Sequence, residues 1–287
     1  MKINVVNGFS DQPNGGNPAG VVYLENDASL SDHVMQEVAT KLHFSETAFI
    51  KRLGEKQFSI RYFTPVAEVP LCGHATIASF SYLHQKGVID DGIYELVTIE
   101  AHLTVEVTEG IVWMEMDRPS MEQPLDDDMV EHICQAYEIA PSDLAEGLEV
   151  RIVKSGLRDI HVCVKDRAVL LGAVQHEEEV SDISKELDVV GVHMSCLDEA
   201  GHVTAFCSNY APYYDIPEEC ATGTSNGGLT YYLYKKGLIL PEQTNCFLQG
   251  EHMNRPSKVY TKVRLKGDVP EIWVGGQGVI CEEDVVA

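Results

Sequence analysis

The chain opens on a strand-like alternation. Met1-Lys2-Ile3-Asn4-Val5 alternates apolar and polar side chains before Val6-Asn7, the period of a half-buried strand. Residues 9–18, Phe9-Ser10-Asp11-Gln12-Pro13-Asn14-Gly15-Gly16-Asn17-Pro18, form a dense turn segment ahead of the apolar run 19–24. This loop lacks both the GxGxxG spacing of dinucleotide sites and the lysine of a phosphate loop. Between 31 and 42 the period lengthens: Val34, Met35, Val38 and Leu42 fall on one face of a predicted helix. Strand-like segments follow at 48–51, 58–63, 94–99, 103–107 and 111–116, and Val130, Ile133, Cys134 and Tyr137 mark a second helix over 128–137. Many short strands with a few helices predict an α+β fold rather than regular βαβ repetition.

The chain also matches itself. Tyr82-Leu83-His84-Gln85-Lys86-Gly87-Val88-Ile89 resembles Tyr232-Leu233-Tyr234-Lys235-Lys236-Gly237-Leu238-Ile239, 150 residues later. Each copy ends an apolar helical run at a glycine suited to a C-cap. Each is preceded by a polar turn with a cysteine, Cys72 in Pro70-Leu71-Cys72-Gly73-His74 and Cys220 in Glu218-Glu219-Cys220-Ala221-Thr222-Gly223-Thr224. Cys72 lies 15 residues before its glycine and Cys220 lies 17, so the match needs a two-residue adjustment. Duplication into two related halves accounts for the pair of matches better than chance.

With 287 residues and 44% hydrophobic content, the chain can bury a core large enough for two domains. Its eight cysteines lack the dense spacing of a secreted disulfide framework, and six of them read as small core residues. The N-terminus lacks a secretory signal pattern, and no run is long enough to cross a bilayer, so a reducing cytoplasm is the expected compartment. A formal net charge of -24, from 21 basic and 45 acidic residues, excludes nucleic acid and a polybasic membrane surface as expected partners. The runs Asp126-Asp127-Asp128 and Glu177-Glu178-Glu179 read as solvated surface.

The chemistry-bearing residues gather at the two polar turns. The first N-H groups of a helix lack internal partners and can hold an anion or stabilise a thiolate. If the halves face one another, Cys72 and Cys220 could act on opposite faces of one carbon, one removing a proton and the other returning it. Both cysteines are equally readable as core residues. Glu46, in Phe44-Ser45-Glu46-Thr47-Ala48-Phe49, is a second proton carrier if buried and otherwise an ordinary surface carboxylate. His74 could transfer a proton or simply cap the helix. Glu219, next to Cys220, could raise the thiol pKa or act as an acid/base group itself. Cys72 and His74 lack the second ligand pair of a structural zinc site, and an acyl-transfer site would need a thiol-imidazole contact that adjacency does not establish. No metal or cofactor is expected.

Four segments then define a resemblance: Gly16-Asn17-Pro18-Ala19-Gly20-Val21-Val22; Ser45-Glu46-Thr47-Ala48-Phe49; Arg61-Tyr62-Phe63-Thr64-Pro65 with Glu68-Val69-Pro70-Leu71-Cys72-Gly73-His74-Ala75-Thr76; and Gln249-Gly250 followed by Arg255-Pro256-Ser257. In this order they resemble the phenazine-biosynthesis-like isomerase/epimerase family, whose fold is similar to that of diaminopimelate epimerase. The resemblance implies two pseudo-symmetric domains, each a curved mixed sheet around a central helix. It also implies an active site between them, commonly a homodimer, and cofactor-free acid/base catalysis on a small carboxylate. The boundaries it suggests are 1–117 for the first half, 118–272 for the second, and 273–287 for a terminal strand packing back on the first domain. The proton-shuttling glutamate, the assisting histidine and the acidic residue of the second motif fall on Glu46, His74 and Glu219. Thr224 takes the place of a substrate-binding serine, and Asn17, Ser45, Gly73 and Gly223 complete the expected substrate contacts.

Two departures bear on mechanism. The second motif has glutamate for aspartate, a methylene that could shift the acid by about 1 Å. It also has Cys220 for proline, which resembles the second catalytic cysteine of the epimerase relatives, as Cys72 resembles the first. The expected activity is proton transfer alpha to the carboxylate of a small amino or hydroxy acid. A double-bond isomerase of a cyclic carboxylate driven by Glu46, and a non-catalytic carboxylate-binding protein, are the alternatives.

Overall fold

The computed structural model describes residues 2–25 and 29–285; Met1, where the first predicted strand begins, and residues 286–287 of the terminal segment lie outside them. The chain divides into two compact units, Met1–Glu115 with Gly275–Ala287, and Met116–Val274.

In the first unit, strand Ile3–Gly8 pairs antiparallel with both Asn17–Leu24 and Gly278–Val285. Asn17–Leu24 runs parallel to Glu46–Arg52, and helix α1 (Asp32–Leu42) makes the crossover. Ser31 caps α1 by accepting from Val34 N, and His43 in the left-handed conformation, φ 56°, ends it. Its buried Met35, Val38 and Ala39 pack on Ile3, Val22, Phe49 and Phe63. Glu46–Arg52 pairs antiparallel with Gln57–Phe63, which in turn pairs with the two-residue strand Glu68–Val69 and, in parallel, with Gly92–Val97. His102–Thr108 and Ile111–Glu115 extend the sheet antiparallel.

Helix α2 (Gly73–Gln85) has nine buried residues distributed all round it, the signature of a central rather than a surface helix. It packs on Ile3–Gly8 and Gly278–Val285 as well as on Ile111–Glu115, strands from both ends of the pairing order, so the sheet wraps around it. Gly8 makes the closest approach: a Cβ there would stand 2.5 Å from the carbonyl oxygen of His74. Arg61 fixes the short strand that leads into α2. Its guanidinium reaches both carboxylate oxygens of Glu68 at 2.7 and 2.6 Å and Asp32 of α1 at 2.6 Å.

The second unit repeats this plan. After strand Ser120–Pro124 and helix α3 (Asp127–Ala136), Arg151–Ser155 pairs antiparallel with Leu157–Cys163, which runs parallel to Gly191–Leu197. The crossover carries α4 (Arg167–Gly172) and α5 (Glu177–Glu186). Gly191–Leu197 pairs antiparallel with Ala205–Ala211, which takes a short strand, Ile216–Glu219, and a parallel one, Asn245–Gln249; Ser257–Lys266 follows antiparallel. The central helix α6 (Gly223–Lys235) begins 150 residues after α2 and, like it, has 13 residues. Sequence duplication is therefore duplication of fold, and each unit is a mixed sheet about a central helix.

The acidic runs serve helix ends. Asp126 accepts from Met129 N at 2.9 Å to cap α3, and Glu177, Glu178 and Glu179 fill the first turn of α5, where the helix dipole favours negative charge. The outer sheet face is apolar: Ile152, Ile160, Val162, Val192 and Met194 share one cluster with Ile133 and Tyr137 and with Val180 and Ile183. The residues alternating with them, Asp159, His161 and His193, are wholly buried on the other face, beside α6. Two mid-helix glycines make room for side chains on this face. A Cβ at Gly228 would lie 2.7 Å from His161 Nε2, and one at Gly227 would lie 2.8 Å from Ser155 Oγ.

Candidate active site

The turn between Glu68–Val69 and α2 sets Cys72 at the N-cap, in extended conformation and with no side-chain capping bond. A buried relay of hydroxyls holds its carbonyl. Thr76 donates to Cys72 O at 2.7 Å through its hydroxyl, and Tyr62 meets the same hydroxyl at 2.6 Å. His74, in the first turn, is only 6% exposed. Its Nδ1 lies 3.4 Å from Cys72 Sγ and 3.4 Å from the Asn17 amide nitrogen. Its Nε2 lies 3.3 Å from Ser45 Oγ and 3.3 Å from Glu46 Oε2.

Burial pushes the His74 pKa below the ordinary imidazole value, outweighing the opposing pull of Glu46. The ring is therefore neutral at neutral pH. Glu46 Oε2 is buried and accepts no hydrogen bond among the described residues, so the imidazole stands beside a carboxylate oxygen with open lone pairs. Gly73 leaves the mouth of the helix open: a Cβ there would meet only Met114 Cε at 3.8 Å. Parallel pairing of Asn17–Leu24 with Glu46–Arg52, in which Ala19 faces Glu46, carries Asn17 and Ser45 to the same ring. The structure thus brings five expected residues, Asn17, Ser45, Glu46, Cys72 and His74, into one cluster. Glu46, Cys72 and His74 each offer a ligand atom within 4.8 Å of the others, but Cys72 and Glu46 face opposite ring nitrogens, so no single nitrogen directs its lone pair to an ion shared by all three.

The second polar turn is built differently. Thr222, not Cys220, is the N-cap of α6 and occupies the position equivalent to Cys72 at the offset of 150; Cys220 stands two residues ahead of the cap. The residue equivalent to His74 is Thr224, so the imidazole has no counterpart in the second unit. Thr222 donates to Glu219 Oε2 at 2.6 Å, giving this carboxylate a local structural partner. Gln249, wholly buried, ties the turn together. Its amide nitrogen donates to Glu219 O and Thr222 Oγ1, and its amide oxygen accepts from Thr222 N and Asn226 Nδ2. In the sequence Gln249 stands only within the Gln249-Gly250 motif; its central role depends on the parallel pairing of Asn245–Gln249 with Ala205–Ala211.

Burial pushes the Cys220 thiol up to about 11; Arg255 draws it down and Glu219 draws it up. Cys220 is thus a thiol at neutral pH. Gly223 is buried in the first turn, while Thr224 is half-buried with its Cγ2 over Gly156. Of the remaining cysteines, Cys134, Cys163, Cys196 and Cys207 are buried and Cys246 and Cys281 only half-buried; all eight are free thiols.

A duplicated α+β fold with a histidine, a carboxylate and a thiol gathered at the start of one central helix defines the class of architecture. The model of a family described as phenazine biosynthesis-like protein matches residues 6–284. The chain belongs to this phenazine-biosynthesis-like family. A mouse phenazine biosynthesis-like domain-containing protein 1 is 32% identical over 286 residues, covering 93% of this chain and 95% of its own. An uncharacterized isomerase of Clostridium acetobutylicum is 27% identical, covering 96% and 94%. The crystal structure of a phenazine biosynthesis protein from Bacillus anthracis shares the fold with a TM-score of 0.87 at 23% identity, over 100% of this chain and 99% of that one.

Proposed function

We propose that this protein, an isomerase-type enzyme, moves a proton at the carbon alpha to the carboxylate of a small amino or hydroxy acid, without a cofactor and with Glu46 as the proton acceptor. The observation that carries this is the buried Glu46 Oε2, which accepts no hydrogen bond among the described residues and has the neutral His74 ring 3.3 Å away. A general base needs a lone pair not already committed to a hydrogen bond and a neighbour that can share the proton it takes. Glu46 has the lone pair and His74 is that neighbour. The substrate carboxylate would sit at the uncapped start of α2, where the N-H groups of the first turn are directed outward and Gly73 adds no side chain. As negative charge develops on that carboxylate during proton removal, the same donors stabilise it.

The test is exchange. The protein is incubated in deuterated water with a panel of amino and hydroxy acids, and alpha-deuterium incorporation is followed by NMR. Exchange that disappears in Glu46→Gln is expected; no exchange across a broad panel counts against the proposal.

A double-bond shift in a cyclic carboxylate is the second proposal, favoured by a specific observation. Epimerisation needs a second group for the opposite face of the carbon, and the sequence offers Cys220, whose thiol is pushed up to about 11. Such a thiol can donate a proton but is a poor base near neutrality. A single carboxylate that removes a proton and returns it to a neighbouring carbon needs no such partner. Retention of label within the molecule would mark this route, and inversion with solvent label would mark epimerisation.

The eight free thiols support action in a reducing compartment, and among the described residues no helix is long and apolar enough to cross a membrane. Family resemblance supports a homodimer, which light scattering tests directly.

A further inference from the structure

We propose that Cys72 is a nucleophile that takes the acyl group of an activated ester or thioester, with His74 as its base and Glu46 behind the ring. Cys72 Sγ lies 3.4 Å from His74 Nδ1, and Glu46 Oε2 lies 3.3 Å from His74 Nε2. Thiol and carboxylate therefore meet opposite nitrogens of one imidazole. A nucleophile within reach of a base that a third group orients is the arrangement that activates cysteine and serine enzymes. The other contacts of the ring agree on one tautomer. Asn17 presents its amide nitrogen, a donor, to Nδ1 at 3.4 Å, so Nδ1 is the accepting nitrogen and the ring proton sits on Nε2, towards Glu46 and Ser45. The lone pair that a thiol proton needs is thus on the side of Cys72. Burial keeps the ring neutral and able to take that proton, while the Glu46 carboxylate favours the charged ring that results.

The fold does not require this pair. Helix α6 starts with Thr222 and Thr224 where α2 has Cys72 and His74, and it reaches the same 13 residues. The carbonyl of the cap residue is held in both units, by Thr76 Oγ1 at 2.7 Å and by Asn226 Nδ2 at 2.9 Å, and the Cys72 side chain makes no capping bond. The turn is secured by these contacts, and the thiol and imidazole add nothing to them. Cys72 keeps 8% of its surface exposed, and Gly73 next to it adds no side chain to the approach. The N-H groups of the first turn of α2 lack internal partners and stand ready for the oxyanion that forms when sulfur adds to a carbonyl.

The Cys72 proton passes to His74 Nδ1 as the bond from sulfur to the acyl carbon forms. The oxyanion then collapses, the bond from that carbon to the leaving group breaks, and His74 gives its proton to the leaving group or to buffer. No oxidation state changes. This reaction runs through the Cys72 sulfur, whereas the proton transfer proposed above runs through the Glu46 oxygen, so each has its own readout.

p-Nitrophenyl acetate is the probe. Wild-type protein should release a burst of one p-nitrophenolate per chain, and a peptide map after an acid quench should place the acetyl group on Cys72. Cys72 should be acetylated at least about tenfold faster than the half-buried Cys281, because an imidazole takes its proton. His74→Asn should slow acetylation of Cys72 by about 10²-fold, the lower end of what a general base contributes. Glu46→Gln should slow it by about tenfold, the equivalent of one pKa unit of support for the charged ring. Thermal melts check that both variants fold, and the wild-type map decides the matter even where one does not. An unacetylated Cys72, acetyl groups spread equally over Cys72 and Cys281, or a Cys72 rate unchanged in folded His74→Asn overturns the proposal.

Discussion

His74 Nε2 stands 3.3 Å from Glu46 Oε2, joining the first turn of α2 to the first residue of strand Glu46–Arg52. One member is a neutral ring and the other a carboxylate oxygen without a hydrogen bond among the described residues, the arrangement on which the proton transfer proposed above rests. Glu46→Gln keeps the shape and removes the basic oxygen. Alpha-deuterium exchange should fall by about 10²–10⁴-fold, the usual worth of a general base. Thermal stability should change little, since the replaced oxygen accepts no bond there. A melting curve beside the exchange rate separates the two effects.

His74 predicts its own titration. Burial lowers its folded-state pKa below the ordinary 6.5, so the folded protein resists protonating it. Its contribution to stability is complete above pH 6.5 and is lost as the pH falls below that value towards the folded one. The imidazole resonances of His74, assigned by comparison with His74→Asn, should titrate with a midpoint below 6.5. A midpoint above it would mean that Glu46 outweighs burial.

Cys220 should be slow to alkylate at neutral pH, with a rate that climbs towards about pH 11. Arg255 is the main influence drawing its pKa down, so Arg255→Gln should raise the pKa further and slow alkylation at any fixed pH below it. Mass spectrometry of iodoacetamide-treated protein assigns the rate to this thiol.

The local patterns that carried the sequence comparison are those that need only neighbours. Ser31 and the spacing of Val34, Met35 and Val38 predict α1, which the structure forms over Asp32–Leu42. The matched octapeptides correspond to the ends of α2 and α6. What was not legible depends on pairing at a distance. Asn17 joins Ser45 and Glu46 because two strands lie parallel, whereas the two-residue offset of Cys220 from the capping position is already present in the repeat spacing. The second unit also defeats the ordinary rule for a strand. Asp159, His161 and His193 alternate with apolar residues and so look solvated, yet α3 and α5 cover the apolar face and the polar one is buried beside α6.

Gly250 has φ +84°, and a Cβ there would stand 2.4 Å from Arg255 O and 2.8 Å from Cys220 O, both backbone atoms. Gly250→Ala should therefore destabilise by about 1–3 kcal/mol from backbone strain alone, with the displacement of neighbouring backbone adding to it. Denaturant unfolding measures the loss. Because the Cys220 segment must move, its alkylation rate should change in the same variant.

The buried polar face of the second unit makes the acid sensitivity of the protein a sum of opposing parts. His193, wholly buried with Nδ1 at 3.0 Å from Asn209 Oδ1, is lowered by burial to about 4, and His161 beside it is lowered well below its ordinary value by burial and then by His193. Both bind protons more readily when unfolded, so each costs stability as the pH falls below 6.5; for His193 the loss down to pH 4 is about 3 kcal/mol. Asp159 works the other way. Burial raises it to about 6, against hydrogen bonds from Ser225 Oγ at 2.7 Å and Gly191 N, so the folded state binds its proton more readily and acidification from pH 6 towards 4 favours folding by a similar amount. Wild-type stability should decline between pH 6.5 and 4, because two histidines oppose one carboxyl. His193→Gln should lose less stability than wild type over this range, and Asp159→Asn, which removes the compensation, should lose more. Urea unfolding at pH 6.5 and pH 4 compares the three proteins, and equal slopes for all would show that these groups titrate alike in the folded and unfolded chain.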